Sequence, residues 1–311
     1  MVIMTDPAPT TPPEFPISRA GVVALVGRAN VGKSSLLNAL LEEKVSIVSP
    51  VAQTTRNVIR AILTDPRGQL VFLDTPGIHK SGTDLGRLMN RAARAAAEGV
   101  DVVLLVLDSA EPPRQEDEGW MSRLQRAEVP VIAVLNKKDL GLGSADAYRA
   151  AWLAAGREAP KPAEWFEVSA TTNEGVVALC DRLLALMPVG PLLFPADVLT
   201  DYPRKLNIGD VVREKLFHEL REELPHAVTV WIDEVDEAPE GWTVRGSVYV
   251  NKPSQKGIVI GDKGRLLRKV KRAAEIELQV MYNVPVSLDL WVKVEPNWNR
   301  NFWLLKKFGY A

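Results

Sequence analysis

Short apolar runs alternate with helical patterns along residues 19–187. The apolar runs predict strands at Val22–Val26, Val58–Thr64, Leu70–Asp74, Val102–Asp108, Val131–Asn136 and Trp165–Val168. The helical patterns include Leu85–Ala97, Gln115–Ala127 and Val176–Leu186. This alternation predicts an α/β domain, in which helices cover both faces of a mostly parallel sheet. Because such sheets bind ligands at the carboxyl ends of their strands, polar motifs at those ends indicate the chemistry.

The pattern changes after Met187, where four prolines, at positions 188, 191, 195 and 203, interrupt the chain. We interpret residues 188–206 as a semi-rigid linker or a segment packed between domains. Helix, strand, strand, helix, helix and strand are then predicted at Gly209–Leu224, Ala227–Val235, Trp242–Val250, Pro253–Ile260, Arg265–Tyr282 and Val286–Val294. This order predicts a second domain of the α+β class at residues 207–311.

Composition narrows the class of protein. The chain has 311 residues and a net charge of −1, so any basic surface must be local. Cys180 is the only cysteine, and His79, His218 and His226 lack metal-ligand spacing, which argues against disulfides and a zinc site. Residues 1–18 lack a signal-peptide pattern and are predicted to form a flexible tail. We expect a cytoplasmic protein.

The first candidate site follows the first predicted strand, where Gly27–Ser34 has the form G-x-x-x-x-G-K-S. Strand, glycine loop and helix are the context of a phosphate-binding P-loop, although a ligand-free turn is the alternative. Glycines let backbone N–H groups surround phosphates, Lys33 would reach the β- and γ-phosphates, and Ser34 would bind Mg²⁺. The nucleotide contacts predicted here are Gly27, Asn30, Val31, Gly32, Lys33, Ser34 and Ser35.

Two further motifs complete a predicted metal and γ-phosphate site. Asp74 closes an apolar strand and precedes Thr75-Pro76-Gly77, which places a carboxylate where a Mg²⁺-binding residue belongs and the Gly77 N–H at the γ-phosphate. The polar segment from Ser49 to Arg56 is a candidate switch loop that supplies a threonine to Mg²⁺. Thr55 is favoured over Thr54, although the sequence leaves both open. The predicted metal ligands are Ser34, Thr55 and Asp74.

The ends of the last two strands predict a guanine site. Asn136-Lys137-Lys138-Asp139 has the form N-K-x-D. The Asp139 carboxylate can accept hydrogen bonds from guanine N1–H and the exocyclic amine, whereas adenine would leave it unpaired. Lys137 would lie along the base, and Ser169 precedes Ala170, whose N–H could donate to guanine O6. The alternative is a helix N-terminus of mixed charge.

In the second half, Gly261–Gly264 has the form G-x-x-G between two predicted helices. This is how a KH domain clamps single-stranded nucleic acid, and lysines and arginines surround the loop. A helical hairpin with a solvated basic face is the alternative. The predicted RNA contacts are Lys256, Ile258, Ile260, Gly261, Asp262, Lys263, Gly264, Arg265, Arg268 and Lys269.

Taken in order, these motifs resemble the translation-factor-like branch of small GTPases and specifically the Era family, over nearly the full length. The resemblance implies a P-loop GTPase domain followed by a type II KH domain, with GTP or GDP and Mg²⁺ as ligands. It also implies binding to single-stranded small-subunit (16S) ribosomal RNA near its end, and a role in assembling the 30S subunit. We expect a monomer.

One departure from Ras-like GTPases concerns hydrolysis. Ile78 stands where those proteins carry a glutamine that orients the attacking water. Related GTPases with an asparagine at the position of Asn30 use it to hold a potassium ion beside the phosphates, and we carry this over as a hypothesis. Lys33, Asn30, Thr55 and Gly77 are therefore the predicted catalytic residues, and we expect slow intrinsic turnover.

The role of the second domain has an alternative. It could be a protein- or membrane-interaction module, but such a module would need neither the G-x-x-G loop nor its lysines. A tRNA-modifying GTPase lacks support, because Cys180 lies mid-helix. The aromatic residues after Pro296 are expected to pack onto the domain, with RNA stacking or weak association with the inner face of the cell membrane as alternatives.

Overall fold

The first domain is built on a six-stranded sheet in the computed structural model, which describes residues 18–310. The predicted tail at residues 1–18 therefore lies outside the described residues, apart from Ser18. The sheet order is β2-β3-β1-β4-β5-β6, and only β2 is antiparallel to its neighbour. The strands are β1 (Arg19–Val26), β2 (Ile59–Asp65), β3 (Gly68–Asp74), β4 (Val102–Asp108), β5 (Val131–Asn136) and β6 (Glu164–Glu167). The predicted mostly parallel sheet is confirmed.

Helices cover both faces of this sheet. They are α1 (Lys33–Leu41), α2 (Asp84–Ala95), α3 (Gln115–Leu124), α4 (Ala145–Ala155) and α5 (Val176–Leu186). Two hydrophobic clusters form the core, one on each face, with α1 and α5 in the first and α3 and α4 in the second. Buried side chains on both faces explain why β4 is apolar from Val102 to Leu107. The sequence patterns had not identified α4.

The proline-rich segment runs along the open edge of the sheet. The Ile62 N–H donates to the Leu199 carbonyl at 2.8 Å, and Thr200 pairs with Ala61. The buried Gln69 side chain accepts from the N–H groups of Leu193 and Phe194, both at 2.9 Å. The bonds to Ile62 and Ala61 pair backbone groups that edge strand β2 would otherwise expose, and the Gln69 side chain on β3 satisfies N–H groups of the segment itself.

The second domain is a three-stranded sheet packed against helices. Its elements are α6 (Arg204–Glu219), α7 (Leu224–Ala227), β7 (Val228–Ala238), β8 (Gly241–Val250), α8 (Pro253–Ile260), α9 (Arg265–Tyr282), β9 (Val286–Val294) and α10 (Phe302–Lys307). The sheet order is β7-β8-β9, with β7 and β8 antiparallel and β8 and β9 parallel. The parallel pair requires a crossover, and α8 and α9 provide it. The predicted α+β class is confirmed.

The first helix of this domain differs from the prediction, which placed it at Gly209–Leu224. The helix begins at Arg204 because Pro203, at φ −56°, occupies its N-cap position, where a missing N–H costs nothing. It ends before Leu220, which is extended, and Glu222 then turns the chain in the left-handed region. Pro225 lies in α7 instead of ending the helix.

Among the described residues, none of the helices combines the length and apolar character that crossing a bilayer requires.

Candidate functional site

The P-loop connects β1 to α1 through two glycines that no other residue could replace. Gly27 and Gly32 have φ values of 150° and 92°. A Cβ atom on Gly32 would lie 2.3 Å from the Asn136 Nδ2 atom, and one on Gly27 would lie 2.4 Å from the Val106 carbonyl oxygen. Gly32 is the N-cap of α1, so the first-turn N–H groups of this helix face the loop. The loop therefore has the geometry of an anion-binding turn.

Lys33 lies inside this loop. Its Nζ atom donates to the carbonyl oxygens of Arg28 at 2.9 Å and Gly27 at 3.3 Å. Burial lowers the pKa of Lys33 to about 8, against an ordinary value of 10.5, and the nearby Asp74 carboxylate opposes this shift. An anion in the loop would supply the countercharge that this ammonium group lacks.

Three oxygen-bearing side chains predicted to hold Mg²⁺ meet at the start of α1. The Ser34 Oγ atom donates to Asp74 Oδ2 at 2.6 Å and lies 2.8 Å from Thr55 Oγ1. The other carboxylate oxygen of Asp74 is buried and has no hydrogen-bond partner among the described residues. Because Mg²⁺ prefers oxygen ligands, this donor set fits the ion. Burial raises the pKa of Asp74, which a bound cation would reverse.

The structure also distinguishes the two candidate threonines. The Thr54 Oγ1 atom donates to the Val51 carbonyl oxygen at 2.6 Å and lies 2.8 Å from Ser49 Oγ, so it is directed into its own loop. Thr55 alone lies beside Ser34. Ser46 belongs to none of the sequence motifs, yet it is fully buried and its Oγ atom donates to Asp74 Oδ2 at 2.8 Å, which orients the carboxylate.

Asn136 joins the P-loop to the last strand of the predicted guanine site. Its Nδ2 atom donates to the Val31 carbonyl oxygen at 2.9 Å, and its Oδ1 atom accepts from the Ala170 N–H at 3.1 Å. The Ala170 N–H thus has a partner within the protein, and its role toward guanine O6 stays a prediction. The Ser169 Oγ atom donates to Asp139 Oδ1 at 2.6 Å and orients that carboxylate.

Lys137 is held by a carboxylate that sequence reasoning did not identify. Its Nζ atom donates to Asp108 Oδ2 at 2.6 Å, and its backbone is left-handed, at φ 65°. Asp108 ends β4 and is buried. The only sequence signal for it was an acidic residue at a strand end, the same signal that identified Asp74.

Asn30, Ser35 and Ile78 border a cavity of about 650 Å³ beside the P-loop, which is large enough for a nucleotide. Asn30, at φ 64°, donates from Nδ2 to the Pro50 carbonyl oxygen at 3.0 Å. Gly77 lies so close to the loop that a Cβ atom there would be 2.5 Å from Ala29 Cα. Gly77 lines a smaller neighbouring cavity, which shares Asn30 and Ser35 with the first. Residues from five separate motifs therefore meet at one edge of the sheet.

The G-x-x-G loop forms the second candidate surface. Gly261 and Gly264 have φ values of 74° and 76°, and Lys263 between them is also left-handed. A Cβ atom on Gly261 would lie 2.7 Å from Leu266 Cβ, so the turn requires glycine. The basic residues predicted to contact RNA are exposed, namely Lys256, Lys263, Arg265, Arg268 and Lys269. Their clustering creates a locally positive surface.

The apolar and acidic residues of this surface differ in accessibility. Ile258 is 50% exposed, whereas Ile260 packs partly against the domain core. Asp262 is exposed and pairs with Arg265, and Lys269 pairs with Glu219 at 2.8 Å. An exposed isoleucine beside exposed cations suits contact with unstacked bases and phosphates. Ile258 is thus better placed than Ile260 for such contact.

The aromatic residues near the C-terminus divide into two groups. Trp298 and Phe308 are buried, and the Trp298 Nε1 atom donates to the Ala227 carbonyl oxygen at 2.9 Å. The prediction that this segment packs onto the domain is confirmed for them. Phe302 and Trp303 on α10 are 56% and 75% exposed.

Comparisons with known proteins agree with this geometry. The family model of the 50S ribosome-binding GTPase matches residues 22–137, and the KH domain model matches residues 223–299. GTPase Era of Rippkaea orientalis is 39% identical over 292 residues, which cover 94% of this chain and 92% of that protein.

Two solved structures are similar over the same extent. One is a point variant of Aquifex aeolicus Era bound to GDP and AlF4⁻, and the other is Era in complex with MgGDPNP and nucleotides 1506–1542 of 16S ribosomal RNA. Each is 37% identical and has a TM-score of 0.88, covering 94% of this chain and 99% of its own. With identity at this level over nearly the whole length, the chain belongs to the GTPase Era family.

Proposed function

We propose that this protein is a GTP-hydrolysing switch that binds single-stranded 16S ribosomal RNA through its KH domain and assists assembly of the 30S subunit. The observation that carries the proposal is the pairing of two sites in one chain. The P-loop, Asp74 and the N-K-x-D segment meet at one sheet edge, and a glycine loop surrounded by exposed cations lies in the second domain. The Era structure with MgGDPNP and 16S nucleotides supports both ligands.

In the nucleotide site, the protein residues bind and orient the substrate. The P-loop N–H groups and Lys33 surround the phosphates, and the Asp139 carboxylate accepts from guanine while Ser169 keeps it in place. Ser34, Thr55 and Asp74 would hold Mg²⁺, which would neutralise charge on the phosphates. The Gly77 N–H lies close to the P-loop, where it would contact the γ-phosphate.

Hydrolysis without a glutamine is expected to be slow and to depend on potassium. Ile78 cannot orient water, and Asn30 carries the amide that would help hold the cation. We would compare GTP turnover in KCl and NaCl at equal ionic strength for the protein and for Asn30→Gly, since glycine tolerates φ 64°. We expect potassium to stimulate GTP turnover by the unmodified protein but not by Asn30→Gly. Equal turnover in both salts would contradict the potassium hypothesis.

The RNA function is tested by direct binding. The protein, loaded with GDPNP or with GDP, is titrated against short single-stranded RNAs from the 16S 3′ end at two salt concentrations. Tight, salt-sensitive binding that depends on the nucleotide supports an RNA-coupled switch. Absence of binding in both states would leave a GTPase whose second domain is a protein- or membrane-interaction module.

A second candidate activity concerns α10. Exposed Phe302 and Trp303 next to Lys306 and Lys307 are the residue types that contact anionic membrane surfaces. In this proposal the protein is cytoplasmic and monomeric, with a minor fraction at the inner face of the membrane. Co-sedimentation with anionic vesicles, compared with Trp303→Ser, tests it, and equal sedimentation of both proteins would contradict it.

A further inference from the structure

The segment that carries Thr55 is held by the second domain on both sides. Arg213 on α6 donates from Nη2 to the Thr54 carbonyl oxygen at 2.8 Å. On the other side of Thr55, Arg56 donates from Nη1 to the Val228 carbonyl oxygen at 3.0 Å and from Nη2 to that of Pro225 at 3.4 Å. Thr55 thus faces Ser34 while both neighbouring residues are bonded to the KH domain.

These contacts are buried and are fixed by other groups. Arg213 is 1% exposed, forms an ion pair with Asp210 at 2.8 Å and donates from Nη1 to the Tyr310 hydroxyl at 3.0 Å. The Tyr310 hydroxyl in turn lies 2.8 Å from Thr229 Oγ1, on the first KH strand. A buried guanidinium with several partners has little freedom, because each broken bond leaves a charged donor unsatisfied.

The Arg56 side chain occupies an aromatic cage of the second domain. Its guanidinium lies 5.7, 5.6 and 5.9 Å from the ring centroids of Phe217, Trp298 and Tyr310. Cation–π attraction at desolvated sites is stronger than at the surface, so the cage resists withdrawal of this residue. Attachments on both sides of Thr55 therefore limit the position of this residue.

The Thr54 carbonyl belongs to the same rigid peptide unit as the Thr55 N–H. Fixing this oxygen fixes the orientation from which the Thr55 side chain projects toward Ser34 and Asp74. We propose that Arg213, supported by Tyr310, is a positioning residue of the nucleotide site that presents Thr55 to the metal, although both lie in the KH domain. The inference rests on the proposed role of Thr55 as a Mg²⁺ ligand.

The consequence is specific for the triphosphate. Switch-loop residues contact Mg²⁺ and the γ-phosphate together and are released after hydrolysis. Loss of the Arg213 contact should therefore weaken the binding of GDPNP and leave the binding of GDP unchanged. A variant that merely damages the fold would weaken both nucleotides or lower the melting temperature.

We would measure Mg²⁺-dependent dissociation constants for GDPNP and GDP with full-length Arg213→Lys, which retains the charge beside Asp210. We expect GDPNP binding to be about tenfold weaker, because one charged hydrogen bond is lost, and GDP binding to be unchanged. The matched control is Arg204→Lys on the same helix, whose side chain is 47% exposed. Unchanged GDPNP binding in Arg213→Lys, or equal losses for both nucleotides, would overturn the inference.

A double variant separates this inference from the proposed function. If Arg213 acts through Thr55, Arg213→Lys adds no further loss of GDPNP affinity to Thr55→Ala, whereas independent effects would add. If Thr55→Ala binds GDPNP normally, the metal assignment itself fails. If Thr55→Ala is weakened and Arg213→Lys is not, the positioning role alone fails.

Amide hydrogen exchange gives a readout that needs no nucleotide. Exchange of the Thr55 and Arg56 amides in the nucleotide-free protein should be faster in Arg213→Lys than in Arg204→Lys. Tyr310→Phe, which removes one hydroxyl from the same network, should increase exchange and weaken GDPNP in the same direction by a smaller factor. If Arg213→Lys fails to fold, Tyr310→Phe replaces it in this experiment. Normal exchange in Tyr310→Phe would then contradict the proposal.

Discussion

The two candidate ligand-binding surfaces, one in each domain, present their charged side chains in opposite ways. In the first domain, the charged Lys33 and Asp74 side chains are 6% and 0% exposed, and the Asn136 amide is 1% exposed. Lys33 is hydrogen-bonded within the P-loop, whereas Asp74 and Asn136 are hydrogen-bonded to it from other motifs. In the second domain, the side chains of Arg265 and Lys269 are 77% and 68% exposed. Both surfaces are expected to bind phosphates.

This difference predicts how each surface recognises its ligand. Buried donors interact strongly with a few atoms, are little affected by salt, and leave costly unpaired groups when one is removed. Exposed cations act through a screened field and counterion release, so their contributions are smaller and depend on salt. We therefore expect single substitutions to be decisive in the first domain and graded in the second.

The largest effect is expected for Asp139→Asn. An amide cannot accept from both guanine donors, but it can donate to the 2-oxo group of xanthine. We expect a loss of GTP affinity of about a hundredfold or more and improved binding of xanthosine triphosphate. Competition binding with the two nucleotides measures the change. Asp146→Asn, whose side chain is 99% exposed, is the control, and an unchanged GTP preference would refute the base contact.

Gly264→Asp is expected to affect the other surface alone. Gly264 has φ 76°, and a side chain there would point at the Arg268 guanidinium, 3.0 Å from its Cβ position, adding strain and negative charge at the clamp. RNA affinity should fall about tenfold, while GTP affinity stays unchanged. Gly143→Asp, in open space in the first domain, makes the same charge change. Loss of GTP binding in Gly264→Asp would show that the two surfaces are not separable.

The fold and most of the site were predictable because their determinants are local in sequence. The P-loop, Asp74 and the N-K-x-D segment each follow an apolar strand, and parallel strands bring such ends to one edge. Gly261 and Gly264 were recognisable from the G-x-x-G spacing between two helical patterns, and both adopt the left-handed backbone that favours glycine. Local spacing was thus sufficient to place the first-domain motifs at one edge of the sheet.

The residues that sequence reasoning missed act across long separations. Ser46 bonds Asp74, and Arg213 bonds Thr54 from another domain. A serine or an arginine has no spacing signal for a partner that only tertiary packing brings near. The start of α6 was also missed, because Pro203 was interpreted as a breaker although proline suits a helix N-terminus.

A moderate effect is expected from pH, through Lys33. In the free protein this side chain has a pKa of about 8, so it loses its proton as pH rises, and phosphate binding must restore it. Nucleotide affinity should fall about fourfold between pH 7 and 8.5, with proton uptake on binding. Calorimetry in two buffers of different ionisation enthalpy measures the uptake. Lys33→Arg does not titrate in this range and should lack the difference.

The pKa of Lys33 also makes the stability of the protein depend on pH. Its folded pKa, about 8, lies below the ordinary value of 10.5, so the unfolded chain binds more protons between these pH values. The contribution of Lys33 to the free energy of unfolding therefore rises with pH across this window and is least favourable below it. Denaturation of the protein and of Lys33→Arg at pH 7.5 and 9.5 measures this contribution. An equal change in the free energy of unfolding of both proteins between the two pH values would contradict it.

The smallest effect is expected for single cations of the KH surface. Arg268 is exposed and has no ion pair within residues 18–310, whereas Lys269 pairs with Glu219 at 2.8 Å. A phosphate contact by Arg268 would release one counterion, so Arg268→Ala should lower the slope of log affinity against log salt by about one. Lys269→Ala should change it less, because Glu219 already neutralises that charge. RNA titrations across a salt series measure both slopes. Equal slopes in both variants would mean that the ion pair of Lys269 opens on RNA binding. The contrast between buried and exposed charges would then describe the protein without RNA and not the complex.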